Sequence, residues 1–77
     1  MPVYFFDTRD GDDFIRDDIG EELRDLAAAK NVAALSLAEL ARDVLPGSVR
    51  RVLKVEVRDE RQAVMEACLT FEALLLV

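Results

Sequence analysis

The sequence has no histidine, no tryptophan and a single cysteine, Cys68, among its 77 residues. Without histidine, neither a Ser-His-Asp nor a Cys-His nucleophile can be assembled. With one cysteine, no disulfide closes within the chain, and a zinc site of cysteine and histidine ligands is out of reach. Ser36 sits in a helical pattern and Ser48 in a turn, each with no base near it in sequence. The glycines Gly11, Gly20 and Gly47 stand in separate turns, so no glycine-rich loop is available to cradle a phosphate. No apolar run approaches the ~20 residues needed to cross a bilayer. The lone cysteine and the lack of a signal-peptide pattern point to a reducing, cytoplasmic setting. These absences predict a protein that is not an enzyme and uses no cofactor.

A chain of 77 residues has room for one domain, residues 1–77, and one small core. Domains of this size gain from disulfides, metals or association. With the first excluded and the second lacking good ligands, a homodimer is expected.

Charge is what the sequence has in unequal measure. Between Asp7 and Asp25 lie nine acids (Asp7, Asp10, Asp12, Asp13, Asp17, Asp18, Glu21, Glu22 and Asp25) and three bases (Arg9, Arg16 and Arg24). They account for the whole net charge of −6, because the acids and bases after Asp25 balance. A nucleic-acid reader needs the opposite sign over its contact surface, so DNA or RNA is not an expected partner.

The chain is organised around an alanine-rich run from Asp25 to Leu45. Asp25 suits an N-cap, where its carboxylate accepts from the unpaired amides of the first turn. Leu26, Ala29, Ala33, Leu37, Leu40 and Val44 recur at helical spacing and form one apolar stripe. Pro46 and Gly47 end the run. On the reverse side, Ala28, Val32 and Leu35 lie among Asn31, Glu39 and Arg42 and are candidates for a partner contact.

Residues 3–9 are aromatic and β-branched enough for a strand. Asp10-Gly11 reads as a two-residue hairpin turn with positive φ at both centres, residues 13–17 return antiparallel, and Phe6 then faces Ile15 while Phe5 faces Arg16. Asp18 to Gly20 is a further turn, and Glu21 to Arg24 an extended link or edge strand. In residues 50–58, Arg51, Leu53, Val55 and Val57 alternate with Arg50, Val52, Lys54, Glu56 and Arg58, the pattern of a half-buried antiparallel strand. Alternation resumes over residues 63–76, with Met65, Ala67, Leu69, Phe71, Ala73 and Leu75 inward and Glu66, Cys68, Thr70 and Glu72 outward. The apolar stretch Leu74 to Val77 is greasy on both sides and calls for a cover. The expected fold is α+β, a ββαββ order with a four-stranded, mainly antiparallel sheet carrying one long helix on one face.

Carboxylates are the only abundant reactive groups. The cluster Asp7, Asp10, Asp12, Asp13 and Asp17 misses the EF-hand spacing, since Arg9 and Gly11 hold the third and fifth positions counted from Asp7. A solvated acidic hairpin is the plain reading; a divalent-cation site or a docking surface for a basic partner, through Asp10, Asp12, Asp13 and Asp17, are the alternatives. The basic residues Arg50, Arg51, Lys54, Arg58 and Arg61 are expected to pair with Glu56, Glu66 and Glu72 across the sheet.

The stretch Tyr4-Phe5-Phe6-Asp7, with Asp10-Gly11, Asp17-Asp18 and Gly20, resembles the opening signature of a family of small bacterial proteins of unknown function, best represented in rhizobia and their alphaproteobacterial relatives. Asp25 to Ala29, Leu37 to Asp43 and Val55 to Asp59 resemble its helix and third strand. Arg24 stands where proline is usual and Ala27 where glutamate is common, which leaves the expected fold unchanged. The resemblance implies a fold and assigns no catalytic residue. A looser likeness, at the level of the fold, is to the HicB-type antitoxin domain, although the Pro-x-x-Pro-Gly-Cys segment of that domain is missing.

Together these features predict an interaction module, a cytoplasmic homodimer without membrane or nucleic-acid contacts. Its candidate contact residues are Asp10, Asp12, Asp13 and Asp17 on the hairpin, Ala28, Val32 and Leu35 on the helix, and Leu74 and Leu76 beyond the last strand. An antitoxin-like regulator of a basic toxin and a divalent-cation-binding domain are the other functional expectations.

Overall fold

The period-two pattern of residues 50–58 becomes the centre of the sheet. In a computed structural model describing residues 1–77, the elements are β1 (Val3–Asp10), β2 (Asp13–Ile15), β3 (Glu21–Glu22), α1 (Leu26–Val44), β4 (Arg50–Arg58) and β5 (Ala63–Glu72). The strands run β2-β1-β4-β5, and β3 pairs with the other end of β1, on antiparallel ladders throughout. The α+β class and the single helix on the sheet match the sequence expectation, with the link at Glu21–Glu22 forming the fifth strand.

Leu53, Val55 and Val57 of β4 are fully buried because α1 lies over β4 and β5 and presses Ala29, Ala33 and Leu37 onto them. Alanine at two of those three helical positions lets the helix sit close to the sheet. Tyr4 completes the buried cluster, and Phe6, Leu40, Val44, Met65 and Leu69 pack around it. Leu26 departs from the expected stripe: at the first helical residue it is 44% exposed, and the stripe meets the sheet only from Ala29 onward.

Both helix ends form as their chemistry demands. The Asp25 carboxylate accepts from the Ala28 amide at 2.9 Å. At the other end Leu45 N–H still bonds Ala41 O, and the chain then leaves the helix through Pro46 and Gly47, where φ is +86°.

Three boundaries differ from expectation. The hairpin turn is Gly11-Asp12, not Asp10-Gly11: Asp10 pairs with Asp13 and Thr8 with Ile15. Of the two turn residues, only Gly11 has positive φ, at 59°. The slip is by two residues, so every side chain keeps its face, although Phe6 no longer faces Ile15. Second, β2 ends at Ile15, two residues early, because Asp17 turns its side chain toward the β1 backbone. Third, β5 stops at Glu72, since its partner β4 begins at Arg50, and beyond that pair only the Ala73 amide still reaches Val49 O. Helix α1 is not long and apolar enough to cross a membrane.

Candidate functional site

Residues Asp7 and Arg58 lie on the helix-free face of the sheet, on neighbouring strands β1 and β4. Arg58 Nε donates to Asp7 Oδ2 at 2.8 Å, and its Nη2 donates to the Asp17 carbonyl at 2.6 Å. The same guanidinium lies 4.4 Å from the centroid of the Phe5 ring, a cation–π contact. Asp17 is held by both its neighbours: its amide donates to Asp7 Oδ1 at 2.9 Å, and its Oδ2 accepts from the Phe6 amide at 3.0 Å. Oδ1 of Asp17 accepts from the Ile19 and Gly20 amides.

The Asp17 carboxylate thus stands in for the strand partner that β1 loses between β2 and β3. The loop it organises folds down onto Val3 and Phe5. A Cβ on Gly20 would lie 2.8 Å from Phe5 Cε1 and 2.8 Å from Val3 Cγ1, and its φ of +78° suits glycine.

Burial alone would push the Asp7 carboxyl up; the Arg58 guanidinium and the Asp17 amide outweigh it and hold it below the ordinary carboxylate value. Asp17 behaves alike: burial opposes ionisation, while the amides of Phe6, Ile19 and Gly20 lower its pKa overall. Asp7 is 3% exposed, ionised and fully engaged. Such a group fixes the loop against the strand.

A second pair joins the hairpin end to the helix end. Arg51 donates from Nε and Nη2 to Asp10 Oδ1 and Oδ2 at 2.9 and 2.8 Å, a bidentate fork. Its Nη1 donates to Ser48 Oγ at 2.9 Å, and the Ser48 hydroxyl donates to Val44 O at 2.6 Å. Asp10 is held below its usual pKa by the Arg51 hydrogen bonds, and Arg51 is raised by Asp10.

The acidic hairpin therefore divides. Asp10 and Asp17, both candidates for docking, are engaged within the fold, whereas Asp12 and Asp13 are exposed at the tip. Of the expected cross-sheet pairs, Arg50 meets Glu72 and Lys54 meets Glu66, each at 3.8 Å. Arg51 and Arg58 pair with aspartates of β1 instead, and Glu56 sits opposite Glu66. Of the helical candidates, Ala28 and Val32 are half-buried and Leu35 is exposed. Leu74 and Leu76 are exposed as well, 72% and 93%.

Sequence reasoning singled out neither ion pair, since 51 residues separate Arg58 from Asp7 and 41 separate Arg51 from Asp10. The surface depressions are open hollows, one lined by Asp10, Gly11, Arg50, Arg51 and Val52, the other by Pro2, Val3, Asp59, Glu60 and Arg61.

The remaining feature is the free edge of β5, whose backbone directions follow from parity. Val52 O accepts from the Gly11 amide on the β1 side, so the even residues of β4 point their backbone groups toward β1. The odd residues Leu53, Val55 and Val57 then turn toward β5, where Leu69, Ala67 and Met65 answer them. Glu66, Cys68, Thr70 and Glu72 are left aiming N–H and C=O at solvent along the outer edge. Cys68 is exposed there.

Residues 3–70 match the family described as "Domain of unknown function (DUF6894)". No curated protein and no solved structure matches the chain. The chain belongs to the DUF6894 family, and the matched residues include those of the loop clasp and hairpin: Asp7, Asp10, Gly11, Asp17 and Gly20.

Proposed function

We propose, on the footing of that membership, that this DUF6894 chain is a non-enzymatic protein-interaction module that works as a cytoplasmic homodimer. The observation that carries the reading is the open edge of β5, ten residues long, running directly into exposed Leu74, Leu75 and Leu76. Unpaired strand edges are templates for another chain, and natural proteins keep them short, charged or covered when no partner is intended. The opposite side of the sheet is blunted in just that way. There β2 and β3 hold only three and two residues, are split by the Asp17 loop, and carry Asp13, Glu21 and Glu22.

Absence of catalysis is supported by what the perturbed carboxylates do. Asp7 and Asp17 are closed into a clasp with Arg58 and backbone amides, so neither offers a titrating group to a cleft. With β5 engaged by a second copy, the exposed tip acids Asp12 and Asp13 face away and remain open to a basic protein partner.

Light scattering on the purified chain at micromolar concentration tests the reading. A species of twice the 8.6 kDa chain mass supports it. A well-folded monomer under the same conditions overturns it.

A further inference from the structure

We propose that two copies pair antiparallel through β5, edge to edge about a two-fold axis at Cys68, to make one continuous sheet with both helices on the same side. This inference rests on the homodimer reading and adds the surface, the register and the residue on the axis.

Face and charge restrict the register. An axis perpendicular to the sheet keeps the core faces of both copies on one side, so opposed residues must share parity and the axis must pass through a residue. An axis at Glu66 sets that carboxylate against its own copy, and an axis at Leu69 sets Glu66 against Glu72. Like charges directly opposed destabilise a ladder.

At Cys68 both clashes vanish. Glu66 then faces Thr70 of the second copy, Glu72 faces Val64, Met65 faces Phe71 and Ala67 faces Leu69. The edge-directed groups of Glu66, Cys68 and Thr70 supply the ladder bonds. An axis at Ala67 also avoids like charges, but it opposes Glu66 to Cys68 and forfeits the Met65–Phe71 contact.

Above the sheet the helices fit. Helix α1 lies over β4 and β5, which places its axis about 5 Å from the proposed two-fold at a strand spacing of ~4.8 Å. The two helix axes then lie about 10 Å apart, the upper end of ordinary helix packing. Helix α1 runs opposite to β4, since Arg51 at the start of β4 meets Val44 at the helix end. A right-handed helix in that direction turns Ala27, Ala34 and Ala38, all exposed in the single chain, toward the β5 side. Small side chains there admit a close neighbour.

Cross-linking tests the register. Oxidation of the native chain with diamide is expected to trap a disulfide dimer through Cys68, because directly opposed residues of a hydrogen-bonded pair have Cα atoms about 5.5 Å apart, within disulfide reach. A67C/C68S, which moves the thiol to the competing axis, is expected to stay uncrosslinked. Separately, T70E sets two new like-charge pairs against Glu66 and is expected to weaken dimerisation about tenfold, while E66K/T70E restores it. Circular dichroism on each variant confirms that the fold persists.

A dimer by light scattering that resists Cys68 cross-linking and ignores T70E overturns the β5 register and leaves the homodimer reading standing. A trap at A67C/C68S in place of Cys68 overturns the axis. A strictly monomeric native chain overturns both.

Discussion

Arg58 and Asp7 face each other across β4 and β1 with Nε and Oδ2 2.8 Å apart, and the same guanidinium bonds the Asp17 carbonyl and covers the Phe5 ring. One cation thereby holds a strand, a loop and an aromatic ring. The Asp7 side chain is 3% exposed and that of Arg58 18%, so the pair is little screened by solvent.

Removing one partner of that pair leaves the other buried and uncompensated. Asp7→Asn is expected to cost about 3 kcal/mol, or roughly 12–24 °C in Tm for a domain of this size. The double variant D7N/R58M should cost less than the sum of D7N and R58M. Urea denaturation of all four proteins measures that coupling, and strict additivity would show that the two side chains act independently.

Stability should follow the clasp as pH falls. Asp7 and Asp17 have folded pKa values below the ordinary 3.8, and Asp10 and Asp59 shift the same way. A group depressed on folding contributes fully above its unfolded pKa and loses that contribution as pH falls through the folded value. Tm is therefore expected to hold level from pH 7 to about 5 and to drop below about pH 4. In D7N and D17N the acid limb should be shallower, which a thermal melt series reads directly.

Gly20 and Gly47 separate steric from conformational cost. Both have positive φ, but a Cβ meets Phe5 and Val3 at 2.8 Å on Gly20 and nothing on Gly47. Gly47→Ala is expected to cost about 1 kcal/mol from backbone conformation. Gly20→Ala should cost about 1–3 kcal/mol more, because the loop must lift off the ring. Equal costs would mean that the loop shifts freely over Phe5.

The hairpin acids should divide by function. Asp10→Asn weakens the fork to Arg51 and is expected to lower Tm measurably. D12N/D13N, at the exposed tip, should change stability by less than about 0.5 kcal/mol while reducing the salt-dependent affinity for a lysine-rich peptide. Calorimetry of that peptide at two ionic strengths reads the second effect.

Arg51→Lys tests the junction at the helix end. Lysine keeps the charge but cannot reach Asp10 bidentately and Ser48 together. A lower Tm is expected, with faster amide exchange confined to Leu45 and Ser48, whose backbone amides bond near the helix end.

Much of the fold was legible in local pattern. The boundaries of α1 follow from a capping aspartate at 25 and a proline at 46, and those of β4 from strict alternation over residues 50–58. Period and caps are local properties, so the chain itself states them. The missing histidine and lone cysteine are read directly from composition, and the charge count places all net charge before the helix.

What only the tertiary structure decided is which groups meet. Periodicity assigns Asp7 and Arg58 to a face but says nothing of their being neighbours, because strand pairing joins residues 51 apart. The same limit hid the split of the acidic hairpin: Asp10 and Asp13 look alike in sequence, yet β4 brings Arg51 to one of them. The length of β5 was likewise set by its partner and not by its own alternation, which continues past Glu72 where β4 has ended. A strand's pattern reports what its side chains can face; the register with its neighbour determines how much of it is strand, and which edge is left open.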